Sequence, residues 1–268
     1  VMEDKNTNMN TGVFWTKNFE RVDGWFLEKN PDIKVIASPT TGLNHIDIQE
    51  CEKRGVKVIS LRGSELMDVP SVAELTIWFM LELLRRPHAG RFLGNQLKDK
   101  TIGVVGLGRI GKQVASRLRN FEVQICANDV VTAGKPYSEY LFQISLADLL
   151  KCSDIVSLNV PLNEETAGMI TEEHLQTMKP GAFIINTSRS QILKEGAIEK
   201  AIREKWVAGY GADVVRDDKE MAVLTGLRQE GYNVVITEHI GGYTTEARKF
   251  TDDLIEKKVG YLQELNNK

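Results

Sequence analysis

The chain has 268 residues, 42% of them hydrophobic and 26% charged, with a formal net charge of −3 at pH 7. That composition fits a folded globular protein of one large or two smaller domains, and the lack of a basic surplus argues against a general nucleic-acid binder. The three cysteines, Cys51, Cys126 and Cys152, are far apart in sequence and form no CxxC pair. They read as reduced thiols of a cytoplasmic protein rather than a disulfide framework, and no metal ligand set is assigned.

The opening segment VMEDKNTNMN has no apolar core, so no signal peptide is expected there. Val13 to Trp15 gives a weak strand signal. Ile33 to Ala37 reads as a strand, Ile46 to Arg54 as a helix, and Gly55 turns the chain into a second strand, Val56 to Ser60. The most apolar stretch, Val69 to Leu84, is broken by Glu74 and Glu82 and is too short and too charged to span a bilayer. Within Pro70 to Arg86, the residues Val72, Leu75, Thr76, Phe79 and Leu83 recur at helical spacing. That helix reads either as a buried core element or as a connection between two lobes.

From residue 101 onward short β-branched runs alternate with helical patterns. Strands are read at Thr101 to Val105, Val123 to Ala127, Asp154 to Leu158, Ala182 to Asn186, Gly209 to Val215 and Asn233 to Thr237. Helices are read at Gly111 to Arg119, Leu146 to Lys151 (with Ser145 as N-cap), Leu175 to Met178, Glu195 to Glu204 and Glu246 to Leu265. Such alternation implies an α/β protein, a parallel sheet with helices on both faces.

Gly106-Leu107-Gly108-Arg109-Ile110-Gly111 is a GxGxxG that follows a strand and opens a helix. In that setting the glycines permit a tight turn, close approach of a pyrophosphate and helix–strand packing, and the helix N-terminus offers N–H groups to phosphate. Asp129 falls just past the next strand, about twenty residues on, where a carboxylate accepts hydrogen bonds from ribose hydroxyls. An acid there favours NAD over NADP.

Ligands of open parallel sheets bind beyond the carboxyl ends of the strands. Those ends carry Asn159-Val160-Pro161, Thr187-Ser188-Arg189, Asp213 and Glu238-His239. Arginine can grip a carboxylate with two hydrogen bonds, and histidine can exchange a proton near neutral pH. Asp218 is the candidate to orient the imidazole and favour its charged form, although it lies in the charge run Arg216-Asp217-Asp218-Lys219-Glu220, which also reads as a solvated loop face. Of the other histidines, His88 and His174 read as solvated surface residues. His45 reads equally as a cleft residue or part of a helix start.

The motifs VVGLGRIGKQVA, SDIVSLNVPLNEETAGMI, MKPGAFIINTSRSQIL, GYGADVV and NVVITEHIGGYTTEAR resemble those of the D-isomer-specific 2-hydroxyacid dehydrogenases. The resemblance covers about Ile33 to Arg248. It implies a Rossmann-type doubly wound sheet, residues 69–244, inserted in a smaller, flavodoxin-like substrate lobe, residues 1–68 and 245–268, apparently shortened. It also implies an active site between the lobes and hydride transfer between NAD(H) and a 2-hydroxy or 2-oxo acid. By matching position, the cofactor contacts are Gly106, Gly108, Arg109, Ile110, Gly111, Asp129, Val160, Pro161, Thr166, Thr187 and Asp213. Arg189 matches the substrate-carboxylate arginine, His239 the acid/base histidine, and the Gly42-Leu43 turn the loop whose N–H groups help hold the carboxylate.

Asp218-Lys219 stands where the family usually has a glutamate followed by proline, and Ser188-Arg189-Ser190 where Ala-Arg-Gly is usual. Family members usually carry a longer arm between the positions of Arg86 and Thr101, one that contributes to dimerisation. The resemblance and the apolar Pro70–Arg86 helix imply a homodimer built partly on that helix, weaker than usual because of the short segment after it, with a small 2-oxo or 2-hydroxy acid as partner and neither nucleic acid nor membrane. The competing reading is an NAD(H)-responsive binding module with little turnover, as in transcriptional corepressors resembling this family. Arg189 and His239 favour the enzyme.

Overall fold

The computed structural model describes residues 12–16, 20–61, 69–86, 93–130 and 141–266, with side chains as far as 261. His88 lies outside the described residues. In chain order the elements are β1 (Val13–Trp15), α1 (Gly24–Lys29), β2 (Val35–Ser38), α2 (Ile48–Lys53), β3 (Lys57–Ser60), α3 (Ser71–Arg85), β4 (Thr101–Val105), α4 (Arg109–Leu118), β5 (Gln124–Asn128) and β6 (Leu141–Gln143). There follow α5 (Leu146–Cys152), β7 (Ile155–Leu158), α6 (Glu172–Gln176), β8 (Phe183–Asn186), α7 (Ala197–Arg203), β9 (Gly209–Ala212), α8 (Asp218–Gln229), β10 (Asn233–Ile236) and α9 (Thr245–Asn266). The chain divides into two compact units, residues 1–69 with 245–268, and residues 70–244.

In the smaller unit β1, β2 and β3 form a parallel sheet in that order. Successive strand residues face opposite sides, so Phe14 and Ile36 pack with Val22, Leu27, Ile46 and Cys51 on one face. Val13, Ala37 and Ile59 meet Ile255 and Val259 of α9 on the other. Asp23 and Asp47 cap α1 and α2 by accepting from Phe26 N and Glu50 N. The weak signal at 13–15 is thus a real strand, made legible by pairing with β2. Among the described residues this sheet has three strands, fewer than the five of a full flavodoxin-like lobe.

The larger unit is a seven-stranded sheet in the order β10-β9-β8-β7-β4-β5-β6, every neighbouring pair parallel. The order reverses between β4 and β7, where the chain switches from one side of β4 to the other. α3 and α4 cover one face, burying Phe79, Met80, Leu83, Val114 and Leu118 against Ile102, Ile125 and Ile185. α5 to α8 cover the other, with Leu149, Leu175, Ile198, Ile202, Leu224 and Leu227 against Val156, Ile184 and Tyr210. This is the doubly wound arrangement expected from the alternation. Of the two readings of α3, the core one describes its packing here: it lies on β8, β9 and β10, and each large side chain it buries contributes about 1.5–3 kcal/mol.

Four elements differ from the sequence reading. β9 ends at Ala212 rather than Val215. The charge run beyond it starts α8, with Asp217 as N-cap accepting from Glu220 N; only Leu224 and Leu227 of that helix are buried, so its apolar stripe is too sparse to read. β6 and α1 are also unannounced in sequence, being three and six residues long and too short to show a period. No helix among the described residues is long and apolar enough to cross a membrane.

Candidate active site

The first functional turn leaves β4. Gly106 takes a φ of +91°, and a Cβ there would lie 2.9 Å from the Asn159 carbonyl carbon, so only glycine fits without displacing backbone. A Cβ on Gly111 would meet the Gly106 carbonyl oxygen at 1.9 Å, which brings the first turn of α4 against the turn itself. Gly108 differs: a Cβ there would enter open space. Gly108 is the N-cap of α4 and offers no side-chain cap, so the helix start presents its amide N–H groups without a covering side chain.

Asp129, at the end of neighbouring β5, accepts from Leu107 N at 2.6 Å. Gln143 on β6 donates to the Asp129 carbonyl at 2.9 Å. The carboxylate thus fixes the glycine turn. Asn159 Oδ1, past the end of β7, is buried with no protein donor, an acceptor of the kind a bound hydroxyl or water satisfies. The open space at Gly108, the uncapped helix start and the Asn159 acceptor fit a dinucleotide. Arg109 and Ile110 are half-buried at the start of α4, and burial lowers the Arg109 pKa from its ordinary value.

Val160 and Pro161 open the loop after β7. Thr166 ties that loop together, its hydroxyl donating to the Pro161 carbonyl at 2.6 Å and accepting from Asn163 N at 2.9 Å. Thr187, after β8, is buried, and its hydroxyl is 3.0 Å from that of Thr76 on α3.

Arg189 follows two residues later. Its guanidinium donates to the Ser188 carbonyl at 2.6 Å, and burial lowers its pKa, although a guanidinium remains charged. The turn that carries it is clamped by Asn186, whose Nδ2 donates to the Arg189 carbonyl at 2.8 Å and whose Oδ1 accepts from Ser188 N at 3.0 Å. Glu220 on α8 accepts from Ser190 Oγ and from Arg216 N. Sequence reading passed over both. A fully buried asparagine ending the apolar run FIIN was the available signal for the first; Glu220 had none outside its charge run.

The second functional turn leaves β10. His239 has a φ of +56°, a strained choice for a side chain of its size. The strain is held by Asp213, 2% exposed, past the end of neighbouring β9. Asp213 Oδ1 accepts from Thr237 Oγ1 at 2.6 Å and Ile240 N at 2.7 Å, and Oδ2 accepts from Gly241 N at 2.9 Å. Matched through the resemblance to a cofactor contact, Asp213 accepts through both oxygens from the histidine turn.

His239 itself is exposed to solvent, yet its surroundings disfavour the charged ring. Desolvation lowers its pKa most, Asp213 raises it, and Arg189 lowers it, for a net decrease. Arg189, Asp213 and His239 therefore form one electrostatic group at the carboxyl ends of β8, β9 and β10. Asp218 is not part of it. The expected Asp218–His239 pair is replaced: Asp218 is exposed in the first turn of α8, because Asp217 caps that helix, and the carboxylate acting on His239 is Asp213.

The remaining candidates lie elsewhere. Gly42 and Leu43 belong to the smaller unit, in a turn where Thr40 Oγ1 donates to the Gly42 carbonyl at 2.8 Å and Ile46 N to the Leu43 carbonyl at 3.0 Å. His45 is 3.5 Å from Ser38 Oγ through Nε2, and the N-cap of the following helix is Asp47. His174 is not an idle surface residue: with Thr171 it forms a capping box at α6, its Nδ1 accepting from Thr171 N at 3.2 Å.

The family model for the NAD-binding domain of D-isomer specific 2-hydroxyacid dehydrogenases matches residues 78–241. The chain belongs to that family. It is 36% identical over 266 residues to a glyoxylate reductase of Thermococcus litoralis, covering 90% of this chain and 77% of the relative. It is 33% identical over 261 residues to a hydroxypyruvate reductase of Thermotoga maritima, covering 91% and 83%. Among solved structures it resembles D-lactate dehydrogenase from Aquifex aeolicus complexed with NAD and lactic acid, with a TM-score of 0.77, 28% identity, and coverage of 96% of this chain and 86% of that one. The chain is thus an NAD-dependent hydroxyacid oxidoreductase, and a binding module without turnover is not favoured.

Proposed function

We propose that this dehydrogenase reduces a small 2-oxo acid of the glyoxylate or hydroxypyruvate type, with His239 as proton donor and Arg189 as carboxylate grip. The observation that carries the reading is the grouping of Arg189, Asp213 and His239 at adjacent strand ends. NAD(H), held by the glycine turn and Asp129, supplies the hydride. Arg189 presents a fixed cation to the substrate carboxylate, its turn clamped by Asn186. His239, held by the turn that Asp213 anchors, gives its proton to the substrate oxygen during reduction and takes one back in the reverse direction. Gly106, Gly108, Arg109, Ile110, Gly111, Val160, Pro161, Thr166 and Thr187 make up the rest of the cofactor surface. Asp213 serves it indirectly, by placing the histidine turn. Asp218 is left out of the machinery.

The test is steady-state reduction of glyoxylate, hydroxypyruvate and pyruvate with NADH and with NADPH. The highest kcat/KM is expected for one of the first two with NADH, since the Asp129 carboxylate would repel a 2′-phosphate. Turnover of none of them, or equal use of both cofactors, overturns the substrate or the Asp129 assignment respectively.

The reading extends to a cytoplasmic homodimer formed partly through α3. It is supported by the family resemblance, the charged composition and Trp78 of α3, a large apolar side chain 42% exposed. Light scattering over a concentration series should show mass approaching two chains; a constant one-chain mass at high concentration refutes it.

A further inference from the structure

Away from the reaction centre, the fold brings together two thiols that are distant in sequence. Cys126 Sγ on β5 and Cys152 Sγ at the end of α5 are 3.7 Å apart, and both residues are partly exposed. Cys51 is fully buried in the smaller unit. The approach has a local cause. Cys126 is the register partner of Gly103 on β4, and a Cβ on Gly103 would lie 2.4 Å from both Leu149 Cδ2 and Ser153 Oγ. Lacking one, the strand lets the last turn of α5 rest directly on the sheet. Ser153 Oγ and Cys152 Sγ both donate to the Leu149 carbonyl, at 2.6 Å and 3.5 Å, which holds the helix end in place over Cys126. A disulfide has an S–S length of about 2.05 Å, so the sulfurs need to close by roughly 1.7 Å, within reach of side-chain rotation and a small shift of the helix end.

The hydroxyacid reaction uses neither thiol. We propose that Cys126 and Cys152 form a dithiol modification site that closes to an intrachain disulfide by exchange with a small-molecule disulfide.

The order of events follows from the surroundings of the two thiols. Burial and the neighbouring Cys152 push the Cys126 thiol up to about 12, with Lys179 opposing weakly. The first attack therefore falls to Cys152, because the thiolate is the nucleophile. The Cys152 thiolate attacks one sulfur of the external disulfide, giving a mixed disulfide and releasing one small thiolate. Cys126 then loses its proton to solvent and attacks Cys152 Sγ, forming the intrachain bond and releasing the second small thiolate. The protein dithiol is oxidised by two electrons and the external disulfide is reduced to two thiols.

The experiment uses the native full chain with oxidised glutathione at mildly alkaline pH, read by thiol counting after denaturation, intact mass and peptide mapping. The wild type is expected to lose two of its three thiols without retaining an adduct, to yield a peptide cross-linked through Cys126 and Cys152, and to recover all thiols on reduction. Cys126→Ser should stop with one glutathionyl group on Cys152. Cys152→Ser should give neither bond nor adduct at Cys126, and Cys51→Ser should close like the wild type. A wild type that keeps three thiols, that stops at the glutathionyl adduct, or that cross-links between chains instead, overturns the proposal. Circular dichroism of each variant separates these outcomes from loss of fold.

Discussion

The turn after β4 and the turn after β10 each leave a parallel strand through left-handed backbone, at Gly106 and His239. Each is fixed by an aspartate beyond the end of the neighbouring strand, Asp129 for the first and Asp213 for the second. The first turn takes its unusual geometry from glycine at no steric cost, and the Leu107 N–H reaches the Asp129 carboxylate. The second imposes that geometry on a histidine, which costs of order 1 kcal/mol or more, and three donors converge on the buried Asp213. The contrast reflects what each turn presents. The nucleotide end offers backbone N–H groups and needs side chains out of the way. The reacting end must hold one imidazole in place, and accepts strain to do so.

The widest separation between the two turns should come from His239→Gln. Loss of the proton donor is expected to lower kcat by about 10²–10⁴-fold, while NADH affinity, followed by fluorescence quenching, stays within error. Unchanged turnover would break the division of labour between the turns.

The glycine turn is sharpened by comparing two of its own residues. Gly108→Ala places a methyl in open space, so the thermal midpoint should hold while NADH affinity falls about tenfold or more, consistent with a ligand occupying that space. Gly111→Ala drives a Cβ into the Gly106 carbonyl and should lower the midpoint by several degrees, the size of a 1–3 kcal/mol overpacking cost. Equal effects on stability would show that Gly108 is structural as well.

The finest comparison is between two aspartates. Reduction needs protonated His239, so kcat/KM in that direction is full below the His239 pKa and falls as pH rises through it. Because desolvation outweighs Asp213 in setting that pKa, the fall in the free enzyme should be centred below the ordinary histidine value. Asp213→Asn removes the one influence that raises it, and the limb should move to lower pH, with a lower plateau from the weakened turn. Asp218→Asn should leave both limb and plateau in place. A shift with Asp218→Asn would restore it as the histidine's partner.

Much of the nucleotide end was legible because its signals are local. A glycine pattern between a strand and a helix, and an acid after the next strand, need no knowledge of the remaining chain. The reacting end was legible only in its residue types. That Asp213 rather than Asp218 acts on His239 depends on β9 and β10 being neighbours and on Asp217 capping α8, and a charge run does not announce which of its acids turns inward.

Taken by itself, the sequence determined the α/β class, the parallel sheet, the dinucleotide turn and the candidate arginine and histidine, because hydrophobic period, glycine placement and strand-end position are properties of neighbouring residues. Tertiary structure alone decided which carboxylate anchors which turn, that Asn186 and Glu220 hold the arginine segment, and that Cys126 and Cys152 meet. These are contacts across strands and layers, fixed by sheet order and helix packing, and no spacing along the chain encodes them.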